Sequence, residues 1–180
     1  MTIKKIIKPF LISFAFLILV MLGIAATMPK DYVVEQSIEV NAGQKDVFDQ
    51  VADFSKWKQW SPWFENEPNA NYQFGGQMAN AGSSIHWDGK IVGRGTMIMD
   101  KIEPHHHLFM TLLFETPHQT TAQATLAFEP VGQLTRVIWT NQGSLEYPMG
   151  RLFGPFLKDM IGNDILKGLE KLKIHAEKRP

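Results

Sequence analysis

The chain has 180 residues, with 18 basic and 18 acidic side chains, 44% hydrophobic residues and no cysteine. That composition is ordinary for one globular domain plus an appendage, and it excludes disulfides, thiolate zinc sites, iron–sulfur clusters and cysteine nucleophiles. Four lysines and no acid lie in residues 1–30, so residues 31–180 hold 14 basic against 18 acidic residues, a net of −4, which excludes the basic footprint of a nucleic-acid binder.

The first element is apolar. Lys4, Lys5 and Lys8 precede a run without charge from Pro9 to Pro29, and about 20 apolar residues suffice to span a bilayer. A cleaved signal peptide is the competing reading, because "GIAA" (Gly23 to Ala26) offers small residues to a signal peptidase; signal-peptide apolar regions are usually ~7–15 residues, shorter than this one. Residues 1–30 are therefore expected to form a membrane anchor, and residues 31–178 a folded domain. The lysines place the N-terminus in the cytoplasm by the positive-inside rule. The expected location is the cell membrane, single-pass, with the domain outside the cytoplasm (the periplasm, in a Gram-negative bacterium).

"DYVVEQSIEV" (31–40) alternates, with Tyr32, Val34, Ile38 and Val40 on one face and Gln36 as the polar exception there. It predicts a half-buried strand. In "NAGQKDVFDQVADF" (41–54) the period changes to that of a helix, at Val47, Phe48, Val51 and Phe54, with Asn41 as N-cap. Helical spacing continues to Trp57 and Trp60 through a break near Asp53. Pro62 disfavours helix for Ser61, so Trp63 and Phe64 are expected on a loop.

Residues 70–145 read as β. The runs "SSIHW", "TMIMDKI", "LFMTLLF", "TTAQATLAF" and "TRVIWTNQ" are separated by turn chemistry such as "WDGK", "EPHHH" and "ETPH", the spacing of an antiparallel meander. Arg136 should face solvent, so Trp139 should point inward. Trp87 is set inward because His86 and Asp88 beside it are polar. In "RLFGPFLKDMIGNDILKGLEKLKIHAEKRP" (151–180), Phe153, Phe156, Leu157, Met160, Ile161, Ile165, Leu169 and Leu172 form the stripe of a long amphipathic helix, its start delayed by Gly154–Pro155. The Phe153/Phe156/Met160 part is expected to cover the sheet. Strand, helices, five or six strands and a long helix make an α+β fold in which one antiparallel sheet packs on the last helix.

Three of the five tryptophans fall within residues 57–63. They can build core, line a cavity or offer a carbohydrate-stacking face. His105, His106 and His107 lie on a turn and point in different directions, and His86 faces away from the interior. Neither makes a metal or acid–base site. No nucleophile motif, phosphate loop or cofactor fingerprint is present, so no catalytic residue, metal or cofactor is expected.

Val47–Phe48, Asp53–Phe54, Trp57 and Trp60–Ser61–Pro62–Trp63 resemble the opening of the START-like, or SRPBCC, superfamily, in its polyketide cyclase/dehydrase-type group. "GRGTMIM", "FEP", "TRVIW" and "IGNDILKGLEKLK" resemble later segments, so the likeness covers roughly residues 32–175. The resemblance implies a helix-grip fold, a curved antiparallel sheet wrapped on the C-terminal helix with an apolar tunnel between them. Trp60, Trp63, Phe64, Trp87, Met97, Met99, Phe114, Leu126, Trp139, Phe153, Phe156 and Met160 are the candidate ligand-binding residues. The expected partners are a hydrophobic or amphipathic small molecule (lipid, quinone or polyketide-like) and the membrane. The alternatives are a cyclase/dehydrase-type enzyme using the same pocket and a non-enzymatic interaction module whose cavity is filled.

Overall fold

The computed structural model describes residues 3–116 and 118–178, the first seven of them as backbone only. Pro117 of the expected "ETPH" turn, Arg179 and Pro180 of the expected last helix, and the side chains of Lys4, Lys5, Lys8 and Pro9 lie outside the described residues.

Helix α1 (Ile3–Thr27) carries the apolar run, and its Phe10–Thr27 stretch is long and apolar enough to cross a membrane. Strand β1 (Asp31–Val40) follows. Helix α2 (Gln44–Ala52) buries Val47, Phe48 and Val51. Its N-cap is Gly43, without a side-chain cap bond, rather than Asn41. The backbone N–H of Asn41 instead donates to Glu177 Oε1 at 2.8 Å, tying it to the end of the chain. A 3₁₀ helix (Phe54–Gln59) begins at Asp53, whose carboxylate accepts from Ser55 N–H.

Helix α3 (Pro62–Asn66) corrects a second expectation, since Trp63 and Phe64 sit on a helical turn rather than a loop. Pro62 disfavours helix only for the residue before it; at the first helical position its fixed φ favours the turn. Six strands complete the sheet: β2 (Asn71–Gly75), β3 (Ser84–Asp88), β4 (Arg94–Glu103), β5 (His107–Thr116), β6 (Thr120–Val131) and β7 (Leu134–Ser144). All neighbours are antiparallel, in the order β1-β7-β6-β5-β4-β3-β2. The chain is thus an α+β helix-grip fold, a seven-stranded antiparallel sheet gripping a long C-terminal helix.

Helix α4 (Met149–Glu177) is that helix. It begins before Gly154–Pro155 and runs through Pro155, giving up the one hydrogen bond that a proline nitrogen cannot donate. Its buried residues are Gly154, Gly162, Ile165, Gly168, Leu169, Leu172 and Ala176. Phe153, Phe156 and Met160, expected on the sheet, are 58%, 70% and 46% exposed. The physical reason is close approach. A Cβ on Gly154 would stand 2.8 Å from Leu145 Cδ1, and one on Gly162 would stand 3.2 Å from Gln36 Nε2. The glycine side of α4 meets β1 and the β7–α4 connection backbone-close. At ~100° per residue that turns Phe153, Phe156 and Met160 to another side.

Two substitutions test this orientation. Leu169→Ala should cost ~2–5 kcal/mol of unfolding free energy, as a fully buried leucine does. Phe153→Ala should change it by less than about 0.5 kcal/mol. Chemical denaturation of the detergent-solubilised chain measures both, and equal losses would contradict the orientation.

Candidate functional site

The inner face of the sheet is built by alternation. Val137, Trp139 and Asn141 of β7 share it with Ala122, Ala124, Leu126 and Phe128 of β6, and with Leu108, Met110 and Leu112 of β5; all are buried. Met97 and Met99 continue it on β4 until an irregularity between Met99 and Lys101 shifts the register. Towards the open edge, Trp87 and Phe114 are half-buried, with ring centroids 5.9 Å apart. Gly95 between them makes room, because a Cβ there would come within 2.4 Å of the Trp87 ring.

Trp57 is the hub of the aromatic cluster, with Phe54, Trp60, Trp63 and Trp139 around it, and Trp139 joins that cluster to β7. The Trp139 ring lies 5.8 Å from Trp57 and 5.7 Å from Trp63, and Trp60 is tilted against Trp57 at 4.9 Å. Trp57 and Trp60 are 2% exposed; their indole N–H groups donate to the carbonyls of Val51 (2.8 Å) and Gln50 (3.3 Å). Trp63 is half-buried. Phe64 is buried with its ring 4.2 Å from Tyr72, whose hydroxyl donates to the Trp63 and Glu67 carbonyls. Phe64 and Tyr72, with Lys58, Pro68, Ala70 and Asn71, line a crevice of about 390 Å³ beside edge strand β2.

Polar groups lie among these rings. Trp139 Nε1 and Ser61 Oγ are buried without a protein partner. Beneath α4, Tyr32 Oη donates to Asn141 Oδ1 at 3.0 Å, and both residues are buried. Burial raises the Tyr32 pKa, so the phenol stays a donor. Gln36 pairs in register with Trp139. By register, Tyr32, Gln36, Trp139 and Asn141 thus share the inner face of β1 and β7 as a polar lane. Only Gln36 was legible beforehand as polar on an apolar face. Asn141 could have been found by carrying the Val137–Trp139 alternation two residues further.

Of the twelve candidate residues, Trp60, Phe64, Met97, Met99, Leu126 and Trp139 are buried inward, and Trp63, Trp87 and Phe114 are half-buried at the margins. Phe153, Phe156 and Met160 lie on the outside of α4. The histidines diverge. His105 packs edge-on against Phe48, while His107 Nδ1 lies 2.9 Å from Glu103 Oε2. His86, on the outer face, meets Thr96 Oγ1 at 3.0 Å. Among the described residues no group of three His, Asp or Glu could hold a metal.

Residues 32–177 match the family described as polyketide cyclase / dehydrase and lipid transport. The chain belongs to this family. Membership places it in the SRPBCC superfamily. Solved structures show the same fold at low identity. The Mll3558 protein of Rhizobium loti is 15% identical with a TM-score of 0.60, over 78% of this chain and 96% of that one. The hypothetical protein jhp0584 of Helicobacter pylori is 11% identical with a TM-score of 0.64, over 82% and 89%. The Aha1 dimer of Colwellia psychrerythraea is 17% identical with a TM-score of 0.56, over 82% and 98%. No curated protein matches the sequence.

One carboxylate steadies the rim. Glu67 accepts the backbone N–H groups of Lys90, Ile91 and Val92 at 2.8–3.0 Å, and the Val92 carbonyl in turn accepts from Trp87 Nε1. These three bonds to the charged form hold the Glu67 pKa below the usual glutamate value. Its stabilisation of the loop is therefore present above the unfolded pKa of about 4.3 and lost as pH falls through the lower folded value. The Lys90–Val92 amide resonances should titrate together below the ordinary glutamate range, and Glu67→Gln should abolish that transition. Titration at or above the ordinary value would contradict the cradle.

Proposed function

We propose that this protein is a membrane-anchored carrier or sensor of an amphipathic apolar molecule, bound between the sheet and α4. The observation that carries the reading is the Trp139 indole N–H, buried without a protein acceptor inside an aromatic wall and beside the polar lane. A site for a lipid-like molecule needs this pattern: apolar and aromatic walls with a few placed polar groups to orient the head. The family description includes lipid transport, and α1, long and apolar enough to cross a membrane, would as an anchor keep such a site beside its ligand.

Trp60, Trp63, Phe64, Trp87, Met97, Met99, Phe114, Leu126 and Trp139 are the proposed walls. Apolar burial would supply ~25 cal/mol per Å² before the costs of association. The Trp139 N–H, the Tyr32 hydroxyl and the Gln36 and Asn141 amides would hold the polar end. On this reading the domain lies outside the cytoplasm, on the side opposite the N-terminal lysines.

Native mass spectrometry of the detergent-purified chain after incubation with a dansylated fatty acid tests this. The wild type should carry the probe. Trp139→Phe, which keeps an aromatic ring and removes one donor, should bind it about 2–10-fold more weakly, the worth of one hydrogen bond. A wild type that binds neither the probe nor co-purified lipid would make the interior plain core and the domain an interaction module.

A further inference from the structure

The exposed apolar side of α4 adjoins α1. Met149 and Leu152 of α4, with Pro148 and α1 residues Ile18, Met21 and Leu22, line an apolar crevice of about 160 Å³. Tyr147 Oη donates to the Leu22 carbonyl at 3.1 Å, Leu145 N–H donates to the Lys30 carbonyl at 2.7 Å, and Ala25 is fully buried. The start of α4 is therefore fastened to α1 well before the end of its apolar run. Leu22 and Ile18 stand five and nine residues before Thr27. At 1.5 Å per residue that is about 8–14 Å inside the end of the apolar segment. A helix lying in a bilayer interface sinks ~5–10 Å into the boundary of headgroups and acyl chains.

The side chains change along α4 in the same sense. Met149, Phe153, Phe156 and Met160 follow one helical side at spacings of four, three and four, and all are exposed. One and two turns further, that side carries Asn163, Asp164 and Lys167. The strip is apolar next to the Ile18–Leu22 wall of α1 and polar away from it. Tyr147, 48% exposed with Arg151 5.3 Å over its ring, sits at the boundary, where amphipathic aromatic residues collect at membrane surfaces.

We propose that the N-terminal half of α4 lies in the outer leaflet of the bilayer, with Met149, Phe153, Phe156 and Met160 in contact with lipid acyl chains. The occupant of this surface is lipid rather than protein, because α1 brings the strip to acyl depth on its own. The glycine side of the same segment faces β1, so one short piece of helix separates the bilayer from the polar lane of the proposed site. The inference rests on α1 being a membrane span.

The chain has no cysteine, so single cysteines report cleanly. Phe156→Cys, Met160→Cys, Phe16→Cys on α1 and Ile91→Cys on the β3–β4 loop are each labelled with a polarity-sensitive fluorophore in the full chain. The labelled chains are reconstituted in phosphatidylcholine nanodiscs, with and without bromine on the acyl chains. Brominated lipid should quench the labels at 16, 156 and 160 and leave that at 91 unchanged. Quenching at 16 without quenching at 156 and 160 overturns the inference and leaves the anchor standing. Quenching at none of the four overturns both. Labels at 156 and 160 that are shielded from aqueous iodide yet unquenched by brominated lipid mean that a second copy or another protein covers the strip, which also overturns it.

Discussion

The seat of Trp139 is the contact on which the rest of the domain depends. This ring stands on the central inner face of β7, with Leu126 of β6 and Gln36 of β1 opposite it in register. Trp57 and Trp63 hold it from the helical segment before β2, and Gly168 of α4 lies over it with space for a methyl between, since a Cβ there would stand 3.9 Å from Trp139 Cζ3. A single side chain thus joins the sheet, the tryptophan-rich segment and the last helix. Aromatic burial on this scale dominates core energetics, and here it also sets the height at which α4 crosses the sheet.

That height divides α4 by side. Glycines at 154 and 162 let the helix backbone come close to Leu145, Val34 and Gln36, and Gly168 leaves room for a methyl beside Pro62 and Trp139. Close approach on one side leaves the bulky side chains of the N-terminal half with no room there, so they point outward. The C-terminal half behaves differently: Ile165, Leu169, Leu172 and Ala176 are buried in the core cluster with α2 residues Val47, Phe48 and Val51. One helix therefore closes the core at its far end and, on our reading, faces lipid at its near end. Under the proposed function, the ligand's polar end and the bilayer lie on opposite sides of the same few turns.

Much of the fold was legible from period alone. The alternation in Tyr32–Val40, Ala122–Phe128 and Val137–Trp139 fixed which side chains face inward, and turn residues spaced the meander. The resemblance carried by Trp60–Ser61–Pro62–Trp63 supplied the helix-grip topology, which period cannot. The orientation of α4 was not legible, because its apolar arc is wider than any one contact. Which part of that arc meets the sheet is decided by the glycines, and a glycine leaves no mark in a hydrophobic pattern. The Asn41 cap failed because the helix starts later, at Gln44, which puts Gly43 at the capping position. Likewise the polar lane depends on pairing across β1 and β7, where Tyr32, Gln36 and Asn141 come together only through register.

The central claim, that α4 is seated over Trp139 with a methyl's width between them, is tested most directly by a matched pair at Gly168. A Cβ there would stand 3.7 Å from Pro62 Cδ and 3.9 Å from Trp139 Cζ3, so a methyl fits in ordinary contact and a leucine would press on both. Gly168→Ala should keep the near-ultraviolet circular dichroism of the tryptophans and hold or raise stability by up to ~1 kcal/mol, through helix propensity. Gly168→Leu should overpack the seat, costing ~1–3 kcal/mol and altering that spectrum. A Gly168→Leu protein with the stability and spectrum of Gly168→Ala would contradict the account.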